Sequence, residues 1–290
     1  MVEIRTILFA SDLTPEADHA FEHVRFLAER FGSRVTLFHA LEMPRQRYEA
    51  WAELQEDLRG RMGAQARQEL CARGRTLHVP YEVVVDEAHV GGHALADLSI
   101  LDMIQKTRPD LTVMATHSRK GFASWFLGSV AHQVVQHAGR PVLCVRKASH
   151  GAMPPYRRIL VPTDLSVASR RAFPLAGLLA RSCGSTVSAL HVITPPPLAA
   201  LAGAPSTPAA APTTEPYLRR FLAPEFETVR VEASIFVSGA PWWRIVQTAE
   251  AERADLIVMS TLGHDSVKDG IIGSNTDRVL RHAPCSVLVA

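Results

Sequence analysis

Short apolar runs alternate with helical spacing along the whole chain, and the same alternation is written twice. Thr6–Ala10 reads as a buried strand. Thr14 and Pro15 then supply an N-cap and a first-turn proline. Ala20, Val24, Leu27 and Phe31 follow at helical spacing until Gly32 stops the helix. The pattern predicts further strands at Arg34–Ala40, Tyr81–Val85, Leu111–Ala115 and Val142–Arg146, with helices over 44–74, 94–107 and Gly128–Ala138. Strands are predicted again at Ile159–Pro162, Thr186–Val192, Val231–Val237, Leu256–Ser260 and Val287–Val289. The helices between them are 167–182, Tyr217–Leu222 and Pro241–Arg253, with an Arg-rich helix after Gly273. Strands separated by helices in this way are βαβ units, which build a parallel sheet.

The repeat is visible residue by residue. Thr6-Ile7-Leu8-Phe9-Ala10-Ser11-Asp12-Leu13 aligns with Arg158-Ile159-Leu160-Val161-Pro162-Thr163-Asp164-Leu165, and His39 aligns with His191. Val113-Met114-Ala115-Thr116 aligns with Val258-Met259-Ser260-Thr261, each followed at the same spacing by a Gly-Ser pair, Gly128-Ser129 and Gly273-Ser274. The offset is 152 from Asp12 to Asp164 and 145 from Gly128 to Gly273, so the first copy holds seven more residues in its middle. Two copies of domain size are expected: residues 1–147 and 156–290, joined by a short linker over 148–155. Residues 194–216 contain seven prolines among Ala, Thr and Ser, a composition that predicts an extended or mobile loop.

Bulk properties narrow the function by exclusion. The 290 residues are 47% apolar and 21% charged, as in a soluble globular protein. A net charge of +2 makes no case for nucleic acid or an anionic membrane. No apolar run is long enough to span a bilayer, and the N-terminus does not read as a secretory signal. Cys71, Cys144, Cys183 and Cys285 stand alone without a C-x-x-C pair, which predicts reduced thiols and a cytoplasmic setting.

The spaced Gly/Ser loop between a strand and a helix is where backbone N–H groups can cradle phosphate. It is not a P-loop, since G-x-x-x-x-G-K-[ST] is absent. Neither first strand is followed by G-x-G-x-x-G. The spacing instead resembles that of the universal stress protein family: G-x2-G-x9-G-[ST] after the fourth strand, with an Asp ending the first. The resemblance covers nearly the whole chain, twice, and includes Arg281-His282-Ala283-Pro284-Cys285-Ser286-Val287-Leu288-Val289. It implies an α/β fold of two tandem Rossmann-like domains, each a five-stranded parallel sheet of order 3-2-1-4-5 flanked by helices. It also implies that the domains pair through their fifth strands as an intramolecular pseudo-dimer, with a further homodimer open. In members that bind ATP, adenosine sits against the first-strand Asp and the end of strand two, and phosphates sit on the Gly loop and Gly-Ser helix start. The corresponding positions are Ala10, Asp12, Ala40, Met114, Ser118, Gly128 and Ser129, and then Pro162, Asp164, Val192, Met259, Gly263, Gly273 and Ser274.

Departures from that pattern pull in opposite directions. Ala115 and Ser118 replace both loop glycines of the first copy, whereas the second replaces one, with Ser260, and keeps Gly263. By glycine count the second domain is the better ATP site, glycine permitting positive φ and close approach to a ligand. Charge favours the first: Arg119 and Lys120 flank its loop, against Asp265 and Asp269 in the second, which repel phosphate unless Mg²⁺ intervenes.

Structural roles compete with each of these. Ser129 and Ser274 could cap their helices, Asp12 and Asp164 could partner the helix that follows, and His39 and His191 read as packed, hydrogen-bonded strand residues. His137 and His282 suit a helix C-terminus. Core burial is expected of Trp242, Trp243 or both. Two metal ideas stand beside these: His89 and His93 near Asp86 and Glu87 for zinc, and His264 with Asp265 and Asp269 for Mg²⁺ on a phosphate ligand. No nucleophile–base set can be assembled. The expectation is therefore a non-enzymatic adaptor that responds to adenine nucleotide, with ATP expected in the second domain before the first, and is read by a protein partner. A slow metal-dependent nucleotide hydrolase and a ligand-free scaffold are the alternatives.

Overall fold

The computed structural model describes residues 2–42, 52–87, 96–116, 128–146, 153–193, 211–223, 225–237, 239–261 and 272–290. The expected helix start at residue 44, most of the linker and the first part of the Pro-rich stretch lie outside the described residues. The chain divides into two compact units, Glu3–Arg146 and Lys147–Ala290.

In the first unit the elements run β1 (Thr6–Ala10), α1 (Pro15–Phe31), β2 (Arg34–Ala40), α2 (Ala52–Gly74), β3 (Tyr81–Asp86), α3 (Ala96–Thr107), β4 (Leu111–Ala115), α4 (Ser129–His137) and β5 (Val142–Val145). All strand pairs are parallel and the order is β3-β2-β1-β4-β5. Ile7, Leu8, Phe9, Val35, Leu37 and Phe38 are buried, as expected where helices cover both faces of a parallel sheet. Thr14 caps α1 by accepting the Ala17 N–H, and Gly32 ends it at φ 65°, its N–H returning to the Ala28 carbonyl.

The second unit repeats the plan with β6 (Arg158–Pro162), α5 (Phe173–Cys183), β7 (Thr186–Ile193), α6 (Ala211–Leu222), β8 (Arg230–Val237), α7 (Pro241–Ala251), β9 (Leu256–Met259), α8 (Ser274–His282) and β10 (Ser286–Val289). Its order is β8-β7-β6-β9-β10, again parallel. Gly184 ends α5 as Gly32 ends α1, at φ 66°.

Two elements differ from the sequence pattern. The helix expected over 167–182 begins as a 3-10 turn, Ser169–Ala172, and becomes α-helical only at Phe173. Pro174 explains the break, because without an N–H it sits at a helix start and not in an interior. The loop expected over 194–216 ends early, since α6 starts at Ala211. Pro212 falls in the first turn, where no N–H is needed, and only Pro216 lies inside the helix. Leu218 and Leu222 are buried, and the Phe221 ring meets Phe173 edge-on at 5.7 Å. That packing offsets the poor propensity of the segment.

Candidate functional site

In each sheet the strand order reverses beside the first strand, between β1 and β4 and between β6 and β9. Chain connections leave in opposite directions there, so a crevice opens at the carboxyl ends of the strands.

In the first unit that crevice is a cavity of about 300 Å³. This is the lower end of the range for small-molecule sites, roughly 300–1,000 Å³. Ala10, Asp12, Ala40, Met114, Gly128 and Ser129 all line it, so six of the seven positions singled out in the first copy meet in one place. The seventh, Ser118, lies outside the described residues. Among the contributors the sequence reading missed are Met62 from α2, Ile100 from α3, and Glu42 just beyond β2. None carries a motif, and only the helix packing brings the first two to the opening.

The loop after β1 is a tight hydrogen-bonded turn. Leu13 adopts φ 60°, a left-handed conformation costing an L-residue about 1–2 kcal/mol. Side chains on either side hold it. The Leu13 N–H donates to Ser11 Oγ at 3.1 Å, and Asp12 Oδ1 accepts from the Thr14 N–H at 3.1 Å and the Thr14 hydroxyl at 2.5 Å. The second unit repeats this with its own residues. Leu165 has φ 63°, its N–H donates to Thr163 Oγ1 at 3.0 Å, and Asp164 Oδ1 accepts from the Ser166 N–H at 3.0 Å. Both aspartates thus serve the turn into the next helix, and Asp12 also lines the cavity. The paired Ser/Thr-Asp-Leu-Thr/Ser sequence is the signal that could have revealed the turn.

His39 and His191 are also equivalent. His39 Nδ1 lies 2.8 Å from the Ser11 carbonyl oxygen, and His191 Nδ1 lies 2.9 Å from that of Thr163. A carbonyl only accepts, so Nδ1 carries the proton in both rings. The reading of these histidines as packed, hydrogen-bonded residues holds, although His39 also lines the cavity.

The helix starts correct one expectation. Gly128 and Gly273 are themselves the N-caps, with no side-chain cap bond, and Ser129 and Ser274 are the first helical residues. The serine hydroxyls therefore do not cap. Gly128 supplies no side-chain acceptor to the backbone N–H groups at the start of α4, which lies beside the cavity, a geometry suited to an anion. The glycines are not needed for positive φ either, since theirs are −59° and −61°. Close approach explains Gly128: its N–H donates to the Thr116 carbonyl at 2.9 Å, and an added Cβ would lie 3.3 Å from that oxygen. The Gly273 N–H makes the same bond to Thr261, at 2.8 Å.

In the second unit Pro162, Val192 and Met259 occupy the last or near-last positions of β6, β7 and β9, with Asp164 in the loop after β6 and Gly273-Ser274 at the start of α8. Gly263 lies outside the described residues, as do His89, His93, His264, Asp265 and Asp269. Among the described residues no group of three or more His, Cys, Asp or Glu gathers as a metal site. The four cysteines are free thiols, and burial pushes Cys144 up to about 12. Trp243 is 48% exposed and Trp242 half-buried, against the expected core burial. Arg278 lies over the Trp242 ring and His282 beside it, which holds Trp242 at the helix ends instead of in the core.

The universal stress protein family model matches residues 3–146 and again 155–290. The chain belongs to the universal stress protein family. Its two halves are the two family domains, each with its own sheet reversal. Universal stress protein A homolog 1 of Coxiella burnetii is 33% identical over 138 residues, which are 46% of this chain and 94% of that relative. A universal stress protein of Archaeoglobus fulgidus has a similar structure, with a TM-score of 0.68 and 19% identity over 99% of this chain and 98% of its own. A putative universal stress protein of Pseudomonas aeruginosa follows at 0.60 and 18%, over 99% and 92%. At these identities the structural likeness is one of fold. Among the described residues no helix is long and apolar enough to cross a membrane.

Proposed function

We propose that this universal stress protein is a non-enzymatic, cytoplasmic adaptor that binds an adenine nucleotide at the carboxyl ends of its strands and presents the bound state to a protein partner. The observation that carries the reading is the convergence of Ala10, Asp12, Ala40, Met114, Gly128 and Ser129 on one cavity of about 300 Å³. Apolar walls from Phe38, Met62, Ile100 and Met114 suit a purine face. Asp12 is an acceptor for ribose hydroxyls, and the start of α4, whose N-cap is a glycine, supplies N–H donors for a phosphate. Mg²⁺ would arrive with a polyphosphate, its charge offsetting the acidic groups nearby.

Glycine count favours the second domain, whereas the formed cavity and the Arg119-Lys120 pair favour the first. We take the first as the primary site. Occupancy would act on a partner by shifting the protein between surface conformations, which requires different affinities for the two.

Equilibrium binding of ATP to the full chain, with and without Mg²⁺, tests the reading. Saturable binding weakened at least tenfold by Asp12→Ala, and less by Asp164→Ala, is the expected result. Binding lost only in Asp164→Ala would move the site to the second domain. No binding of any adenine nucleotide would leave a ligand-free scaffold.

A further inference from the structure

The two halves of the chain hold the same contact with opposite charges. In the first unit Arg73, in the last turn of α2, donates from Nε to Asp18 Oδ1 at 2.8 Å, in the first turn of α1. In the second unit Arg170, in the 3-10 turn that leads into α5, reaches Glu225, just beyond α6, with Nη2 3.4 Å from Oε2. The offset of 152 that relates the helix stops Gly32 and Gly184 also relates Asp18 to Arg170, so the anion and the cation have changed places. The side chains of Arg73 and Glu225 are only 16% and 22% exposed, which limits the screening of either pair. The same offset relates Arg25 to Gly177 and Glu29 to Arg181, and all three positions share one helix face. A Cβ on Gly177 would lie 2.5 Å from the Glu225 carbonyl oxygen, so the turn after α6 needs bare backbone there. Arg181 Nη1 donates to that same oxygen at 2.7 Å, a bond that the acceptor-only carboxylate of Glu29 cannot make.

We propose that these residues make α1 and α5 selective docking faces, each for the segment of its own half. The face of α1 accepts the end of α2, and the face of α5 accepts the turn after α6. On the wrong helix, Glu225 meets Asp18, and its carbonyl meets the Cβ of Arg25 where Gly177 leaves room. Arg73 on α5 meets Arg170. Both cross-pairings set like charges together where the correct pairs attract. Two similar domains in one chain are prone to exchange equivalent segments as they fold, within a chain or between copies. The apolar pattern is shared by both halves and cannot tell the segments apart; the reversed polarity does.

Refolding tests the proposal. The full chain is diluted rapidly from urea, and size-exclusion chromatography reads the fraction that returns to the native elution volume. Arg170→Asp combined with Glu225→Arg gives the second unit the polarity of the first. Each unit then keeps an opposite-charge pair of its own, but the cross-pairings attract, and Gly177 presents no side chain to obstruct α2. This variant should give about threefold more misassembled protein than the native chain. Adding Asp18→Arg and Arg73→Asp reverses the first unit as well, and misassembly should return to the native level. Both variants lose the contact of Arg170 with the Phe221 ring, 5.3 Å away, so the comparison between them isolates the opposition of charge. Equal misassembly in the native chain and the first variant, or in the two variants, overturns the proposal.

Discussion

Acidification should destabilise the first domain through one histidine. His23 lies on α1, 1% exposed, with its ring 5.5 Å from that of His19. Burial disfavours the imidazolium and the His19 charge adds to that, so the group titrates at about 3 in place of 6.5. Between those values the unfolded chain binds a proton that the folded chain refuses. Stability therefore falls as pH drops from about 6.5 toward 3 and is fully present above that window. At pH 5 the unfolded state is about 1.5 pH units below its midpoint, worth about 2 kcal/mol at 1.36 kcal/mol per unit. The assay is urea unfolding at pH 7 and pH 5, read by hydrogen exchange in peptides covering β1 and α1, so that the first domain is followed by itself. His23→Leu should abolish most of the pH-dependent loss, whatever the leucine does to stability at pH 7. Equal losses in the native and His23→Leu proteins would refute the assignment.

Other outcomes follow from the same geometry. Asp110 Oδ2 accepts the Arg5 and Thr6 N–H groups at 2.9 Å and the Thr6 hydroxyl at 3.0 Å, so Asp110→Ala should cost about 2 kcal/mol in urea unfolding of the first domain. Asp255→Ala should act similarly on the second, where Asp255 Oδ2 accepts from the Arg157 and Arg158 N–H groups. Gly184→Ala should cost about 1 kcal/mol. Its φ of 66° strains any L-residue while an added Cβ meets nothing within 4 Å, so a much larger loss would point to an unrecognised contact. The full chain with ATP and Mg²⁺ should release phosphate no faster than the buffer control. Release that Asp265→Ala removes would reinstate the hydrolase.

The strands were legible because a strand buried on both faces is a continuous apolar run, as in Ile7-Leu8-Phe9-Ala10. Helix ends were legible where the signal is a single residue with a single physical job: Thr14 as an acceptor, Gly32 and Gly184 as left-handed stops. The helix at Tyr217–Leu222 was legible, but the Pro-rich composition concealed the first half of α6, over 211–216, because a first-turn proline has no helix penalty and the burial of Leu218 and Leu222 is a tertiary fact. The left-handed φ of Leu13 and Leu165 could be read only from their neighbours and not from leucine itself. Leucine has no preference for positive φ, and the flanking Ser/Thr and Asp side chains impose it from outside. At the site, the aligned loops identified Asp12 and Gly128. Repetition could not find Glu42 or Met62, which have no motif and reach the cavity through ladder extension and helix packing.

Photolabelling tests the central claim most directly. The full chain is irradiated with 8-azidoadenosine nucleotide, digested, and the modified peptides are located by mass spectrometry. The account predicts label on first-domain peptides containing Met62 or Met114, competed away by unmodified adenine nucleotide and absent in Asp12→Ala. Label confined to other surfaces, or label that the unmodified nucleotide does not displace, would contradict it.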